Sequence, residues 1–173
     1  MPSTYTLIAS NTLGASAASV TFSSIPSTYT DLVLRISARS DRAVTSQNFY
    51  VQINGASFDG TYSFTSLQGQ GSAASSTRTS VDGAFYDGYI PGTSATANTF
   101  NSSEYYFSNY AGSANKVASS FTAVENNTTT IQYLSVGANL RTSTTAISSL
   151  VLSLPTGNFV SGSSFFLYGI KNS

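Results

Sequence analysis

Between Asp31 and Arg39 the side chains divide into two alternating sets, Leu32, Leu34, Ile36 and Ala38 on one side and Val33, Arg35, Ser37 and Arg39 on the other. A period of two belongs to an extended chain whose side chains point to opposite faces in turn, so this segment predicts a central strand with one buried and one polar face. Phe49, Val51 and Ile53 alternate with Tyr50, Gln52 and Asn54 in the same way. Asn54-Gly55 then supplies residues that tolerate the positive φ of a tight turn, and Asp59-Gly60 repeats the signal. Tyr62–Leu67 reads as the next strand. Further strands are predicted at Thr4–Ala9, Ser19–Ile25, Ala84–Ile90, Glu104–Tyr110, Val117–Val124, Ile131–Gly137, Ile147–Leu154 and Phe165–Ile170. Nowhere do apolar residues recur at helical spacing over three turns. The breakers Ile25-Pro26-Ser27, Pro91-Gly92, Asn126-Asn127 and Pro155-Thr156-Gly157-Asn158 fall between these runs. About ten short strands separated by turn residues predict an all-β sandwich or barrel. At 173 residues the chain fits one domain, residues 1–173.

Composition narrows the chemistry. The chain has no histidine, cysteine or tryptophan, and only 8% of it is charged, against roughly 25% in an ordinary soluble domain. Most groups used for acid–base work, thiolate chemistry and transition-metal binding are missing, so the expectation is a protein that is not an enzyme and holds no cofactor or metal. Asp82 and Asp87 are the closest carboxylates in a strand-like region, but a spacing of five puts them on opposite faces of a regular strand. A serine nucleophile would need Lys116 or Lys171 as its base. Seven basic and seven acidic residues give zero formal charge, which removes the electrostatic drive toward nucleic acid or anionic membrane. It also leaves little repulsion between copies, as suits a subunit of an assembly. No run approaches the ~20 apolar residues of a membrane helix. The opening Met1-Pro2-Ser3-Thr4-Tyr5 lacks a basic region followed by an apolar one, so synthesis in a cytoplasm is expected. The sequons at Asn101-Ser102-Ser103 and Asn126-Asn127-Thr128 are then chance matches in a chain rich in Ser and Thr.

Two segments are biased toward small polar residues, Gly69–Ser80 (GQGSAASSTRTS) and Pro91–Ser103 (PGTSATANTFNSS). They predict long surface loops, or arms that become ordered against neighbouring subunits. The aromatic residues carry the sharper signal. Tyr105 and Phe107 share one face of their strand while Tyr106 and Tyr110 share the other, and Tyr86 and Tyr89 flank Asp87-Gly88. Such two-faced aromatic segments fit two sandwich layers or an edge strand. As functional candidates, Tyr86, Tyr89, Tyr105, Tyr106 and Tyr110 predict a subunit interface, where Tyr is enriched, or a platform for stacking sugars.

Several stretches, taken in their order along the chain, resemble tailed-bacteriophage virion structural proteins. They are the opening TLIASNTLGASAASVTFSSIPSTYTDLVLRISARSD, the region QINGASFDGTYSFTSLQGQGS, the pieces YIPGTSATANTF and NYAGSANKV, and the ending TSTTAISSLVLSLPTGNFVSGSSFFLYGIKNS. Asn54-Gly55-Ala56 and Thr61-Tyr62 depart from the expected Asn-Gly-Asp and Asn-Tyr of that pattern, which bears on loop detail rather than fold. The resemblance implies a jelly-roll-like β-sandwich in a virion, assembled after synthesis in the host cytoplasm. Its first implied role is a capsid decoration or cement protein, a homotrimer that clamps the major capsid protein and stabilises the shell without chemistry. The alternative role is a tail-fibre or baseplate domain that binds a host glycan or protein.

Overall fold

The computed structural model describes residues 4–55, 58–125 and 133–171. The alternation in the sequence becomes thirteen strands and, among the described residues, no helix. In chain order they are Tyr5–Thr12 (β1), Ser19–Phe22 (β2), Asp31–Ser37 (β3), Ser46–Asn48 (β4), Tyr50–Ile53 (β5), Tyr62–Gln70 (β6), Ala73–Asp82 (β7), Tyr89–Pro91 (β8), Ser102–Ser108 (β9), Lys116–Val124 (β10), Tyr133–Arg141 (β11), Leu150–Ser153 (β12) and Ser164–Ile170 (β13). Eight of them form one sheet in the order β1-β13-β3-β9-β10-β11-β6-β7, three form a second in the order β2-β12-β5, and β4 pairs with β8. Every pairing is antiparallel.

One apolar cluster joins the sheets. Leu32, Leu34 and Ile36 of β3, Phe107 of β9, and Phe165 and Leu167 of β13 belong to the same cluster as Val20 and Phe22 of β2, Val51 and Ile53 of β5, and Leu150 and Leu152 of β12. Each of these residues is at an alternate position of its strand, so one face of each sheet goes inside. The result is an all-β antiparallel sandwich, one of the two architectures that the strand pattern predicts. The turn residues also take their expected conformations, with positive φ at Asn54 (56°), Gly55 (59°) and Gly60 (71°). Asn54 additionally fixes the neighbouring segment, because its Oδ1 accepts from the backbone N–H groups of Ser148 (2.8 Å) and Ser149 (3.1 Å).

Two local expectations, at Gly69–Ser80 and Ala84–Ile90, are corrected, and the loop at Pro91–Ser103 holds between its ends. Gly69–Ser80 is not an arm: Gly69 and Gln70 complete β6, Gly71 turns the chain with φ 56°, and Ala73 begins β7. Backbone ladder bonds to β6 suffice to make a strand of small polar residues that bury almost nothing. Pro91–Ser103 is irregular only from 92 to 101, between β8 and β9, and that loop is pinned. The Arg39 guanidinium donates to the carbonyls of Thr96 (2.8 Å), Thr99 (3.0 Å) and Ala95 (3.1 Å), and its burial lowers its pKa. Ala84–Ile90 is strand only from Tyr89, because Phe85 makes a lone bridge to Val51 and the next residues turn Asp87 inward. The turn and sequon at Asn126-Asn127-Thr128, the predicted strand start at Ile131, the opening Met1-Pro2-Ser3 and position Ala56 lie outside the described residues.

Candidate functional site

Alternation in a strand gives two sets of residues, and the hydrophobic effect normally sends the apolar set inside. In β10 and β11 the structure does the reverse. The buried set of β10 is Lys116, Ala118, Ser120, Thr122 and Val124, and that of β11 is Ser135, Gly137, Asn139 and Arg141. Their outward sets contain Val117, Phe121, Leu134 and Val136, which remain 47–50% exposed, while Leu67 of the neighbouring β6 is 63% exposed. Ser66, beside Leu67, is buried.

A polar inner face is stable only where its groups find partners. Asp87, brought under β10 and β11 by the segment before β8, provides the centre. Its Oδ1 accepts from the Tyr105 hydroxyl at 2.8 Å, and its Oδ2 accepts from the Ser120 hydroxyl and from Asn139 Nδ2 at 3.3 Å. Burial, followed by the adjacent Asp87 charge, pushes the Tyr105 hydroxyl well above its usual pKa. Gly137 makes room for the carboxylate: a Cβ there would lie 1.8 Å from Asp87 Oδ2. A second chain runs from Asn101 Nδ2 to Ser103 Oγ (2.6 Å), and from Ser103 Oγ to Thr122 Oγ1 (2.9 Å). Asn101 Oδ1 accepts from the Ala38 backbone N–H at 2.7 Å. The buried cations use carbonyls: Lys116 Nζ donates to those of Gly112 and Ala114, and Arg141 Nη1 donates to that of Ile53 at 2.7 Å. Desolvation lowers the Lys116 pKa. Among the described residues, the buried side-chain atoms Ser135 Oγ and Asn139 Oδ1 have no hydrogen-bond partner.

The outward residues make one continuous patch. Phe121 is opposite Val136, Val136 is opposite Leu67, Ala123 is opposite Leu134, and Val117 is opposite Leu140. On one side the patch borders an exposed ion pair between Arg35 and Glu104 at 2.9 Å. Next to that pair is a cleft of about 410 Å³ bounded by Ser37, Ser102, Phe121 and Phe166. Five large apolar side chains, each about half exposed or more, face solvent together, and contiguous exposed apolar surface of this kind often marks a binding site. Covering it must first offset an association cost of roughly 4–15 kcal/mol. A single patch therefore suits binding reinforced by multiplicity.

The five tyrosines do not gather into one surface. Tyr105 and Tyr110 are fully buried and are corrected from surface candidates to core residues. Tyr105 is held edge-on to Phe49 with centroids 6.0 Å apart, and the Tyr110 hydroxyl donates to the Pro26 carbonyl. Tyr106 is half-buried on the outer face and donates to Asp31 Oδ2 at 2.6 Å, an acceptor that pushes its pKa up to about 12. Tyr86 is half-buried, with its hydroxyl 3.2 Å from Thr79 Oγ1 and its ring edge-on to Phe64 at 4.7 Å. Tyr89 stacks on Tyr133 with centroids 3.9 Å apart. Asp82 accepts from the Gly83 backbone N–H at 2.6 Å and takes no part in the Asp87 network. Among the described residues, no three His, Cys, Asp or Glu side chains gather to hold a metal ion, and no helix is long and apolar enough to cross a membrane.

The sequence reading missed Val117, Phe121, Leu134, Val136 and Leu67. The available signal was that Val117, Phe121 and Ala123 make the more apolar alternate set of Lys116–Val124 and Lys116, Ser120 and Thr122 the more polar one, a pattern that by itself sends the apolar set inside. The sequence matches no protein-family model and no curated protein. Among solved structures, the Caenorhabditis elegans galectin LEC-6 aligns with 94% of this chain and 96% of its own at 9% identity and a TM-score of 0.33. A structure titled "NanB plus Optactamide" aligns with 97% of this chain and 27% of its own at 10% identity and a TM-score of 0.39. Similarity this low carries no argument about function.

Proposed function

We propose that this protein is a structural subunit of a tailed-bacteriophage virion, a capsid decoration protein that binds the major capsid protein through the outer face of β10, β11 and β6. The observation that carries the reading is the inversion of β10 and β11, which leaves Val117, Phe121, Leu134 and Val136 facing outward above a polar interior, beside the exposed Leu67 of β6. Supporting it are the order of the sequence stretches that resemble such proteins and a net charge of zero. The mechanism is mass action: surface buried between this chain and the shell favours the closed particle and opposes its rupture.

The test is co-sedimentation with empty shells made without this protein, followed by heating. The wild-type chain should pellet with shells and raise the temperature at which they open. The double variant Phe121→Lys/Val136→Lys should fold, because both positions are half exposed, yet stay in the supernatant. A wild-type chain that ignores shells and instead labels host cells would move the protein to the tail.

A further inference from the structure

The eight-stranded sheet ends in β1 on one side and β7 on the other. An open edge presents a row of unpaired backbone N–H and C=O groups, and stable proteins usually disrupt such rows. β1 is disrupted: its register to β13 slips between Leu7 and Ala9, so Ile8 bulges in the middle of the strand. β7 is disrupted only at its far end. Its register to β6 is regular from Ala73 to Thr79, and the bulge comes only afterwards, where Thr79–Asp82 carries one residue more than the opposing Tyr62–Phe64. Side chains do not shield it, since Ala73 through Arg78 are all exposed and small apart from Arg78. No proline interrupts it.

The geometry of the hairpin says which groups are unpaired. Gln70 and Ala73 are opposed across the two-residue turn Gly71-Ser72, so in an antiparallel hairpin they form a hydrogen-bonded pair, and the pattern alternates from there. Ala73, Ser75, Thr77 and Thr79 therefore bond to β6, while Ala74, Ser76 and Arg78 direct their N–H and C=O groups away from the sheet. We infer that β7 pairs antiparallel with β7 of a second copy of this chain, about a two-fold axis through Ser76, joining two sheets edge to edge. In that register Ser76 is opposite Ser76, and Ala74 of each copy is opposite Arg78 of the other, so each opposed pair exchanges both backbone bonds. Charge favours this occupant. Arg78 is the only charged residue from Ala73 to Thr79 and meets an alanine rather than its own copy, and the two chains carry no net charge to repel each other.

The contact is isologous and closes as a dimer, not as the homotrimer that the sequence resemblance implies. It stands apart from the proposed capsid contact, because it uses the edge and not the face. Were both present, the dimer would set two apolar patches on the same side of one continuous sheet, supplying the multiplicity that a single patch lacks.

Light scattering on the purified chain at about 100 μM, with amide hydrogen exchange on the same sample, tests the pairing. The expected result is the mass of two 18.1 kDa chains, with slow exchange at Ala74, Ser76 and Arg78 that becomes fast on dilution. Ser76→Pro removes an outward N–H without touching a bond to β6, and should weaken dimerisation about tenfold or more at little change in the melting temperature of the monomer. A monomer at that concentration, a trimer, or a dimer whose Ala74, Ser76 and Arg78 amides exchange fast would overturn the inference. Exchange in the wild-type chain decides the matter even if Ser76→Pro fails to fold, and none of these results depends on whether the protein binds a capsid.

Discussion

The two halves of the large sheet are built on opposite plans. Under β13, β3 and β9 the inner face is apolar, with Leu34, Phe107, Phe165 and Leu167 wholly buried, while Arg35 and Glu104 pair on the outside. Under β10 and β11 the inner face is polar around Asp87, and the outside carries Val117, Phe121, Leu134 and Val136. The same backbone ladder runs through both halves. What differs is which set of alternate residues is removed from water, and the second half reverses the ordinary arrangement at the cost of two unpartnered buried atoms. Leaving apolar side chains in water is unfavourable for an isolated chain. On the proposed reading, contact with the capsid protein would cover that surface.

The comparison is broken most severely at Gly137. An alanine Cβ there would lie 1.8 Å from Asp87 Oδ2 and 2.4 Å from Ser120 Oγ, so Gly137→Ala should lower stability by about 3 kcal/mol or more in urea titrations. Gly69, on the outer side of the adjacent β6, would meet only Leu134 Cβ at 3.9 Å, and Gly69→Ala should change stability little. Equal costs at the two positions would mean that the polar interior is loosely packed.

A pair of truncations comes next. Leu34→Ala in the apolar half should cost about 2–5 kcal/mol, whereas Val136→Ala in the inverted half should cost under about 1 kcal/mol, because the latter side chain is 50% exposed. Chemical denaturation of both variants reads this directly, and a large loss from Val136→Ala would show that the outer patch already supports the monomer.

Ser135→Ala is predicted to do what few core substitutions do. Its hydroxyl is buried without a partner, so removing it should leave stability unchanged or raise it by up to about 1 kcal/mol, as thermal unfolding would show. A marked loss would mean that the hydroxyl is satisfied in solution.

The smallest effect concerns alkaline pH. Tyr106 has a folded pKa of about 12 because its hydroxyl donates to Asp31, against an ordinary value near 10. The folded state holds this proton more tightly than the unfolded one, so the contribution is complete below pH 10 and is lost as pH rises through 12. Stability measured between pH 9 and 12 should fall less steeply in Tyr106→Phe than in the wild-type chain. Parallel slopes would remove Tyr106 from the list of groups that set alkaline stability.

The fold was legible wherever one alternate set was plainly apolar. Asp31–Arg39 and Phe49–Ile53 announced β3 and β5, and Asn54-Gly55 announced its turn, because burial and local backbone preference agreed there. β7 was not legible, since Ala, Ser and Thr carry no burial signal and the strand exists by its ladder to β6 alone. The polar interior was hidden for a different reason. Asp87 looks like a turn residue until Tyr105, Ser120 and Asn139 meet it across separations of 18 to 52 residues. The same long-range meeting turned Tyr105 from a surface candidate into a core residue and left Val117, Phe121, Leu134 and Val136 outside, which no local pattern specified.

Cryo-electron microscopy of virions that carry this chain tests the central claim most directly. The account predicts density for the sandwich repeated over the icosahedral shell, with Phe121, Val136 and Leu67 in contact with the major capsid protein. Density on the shell with that face turned to solvent, or density confined to the tail, would contradict it.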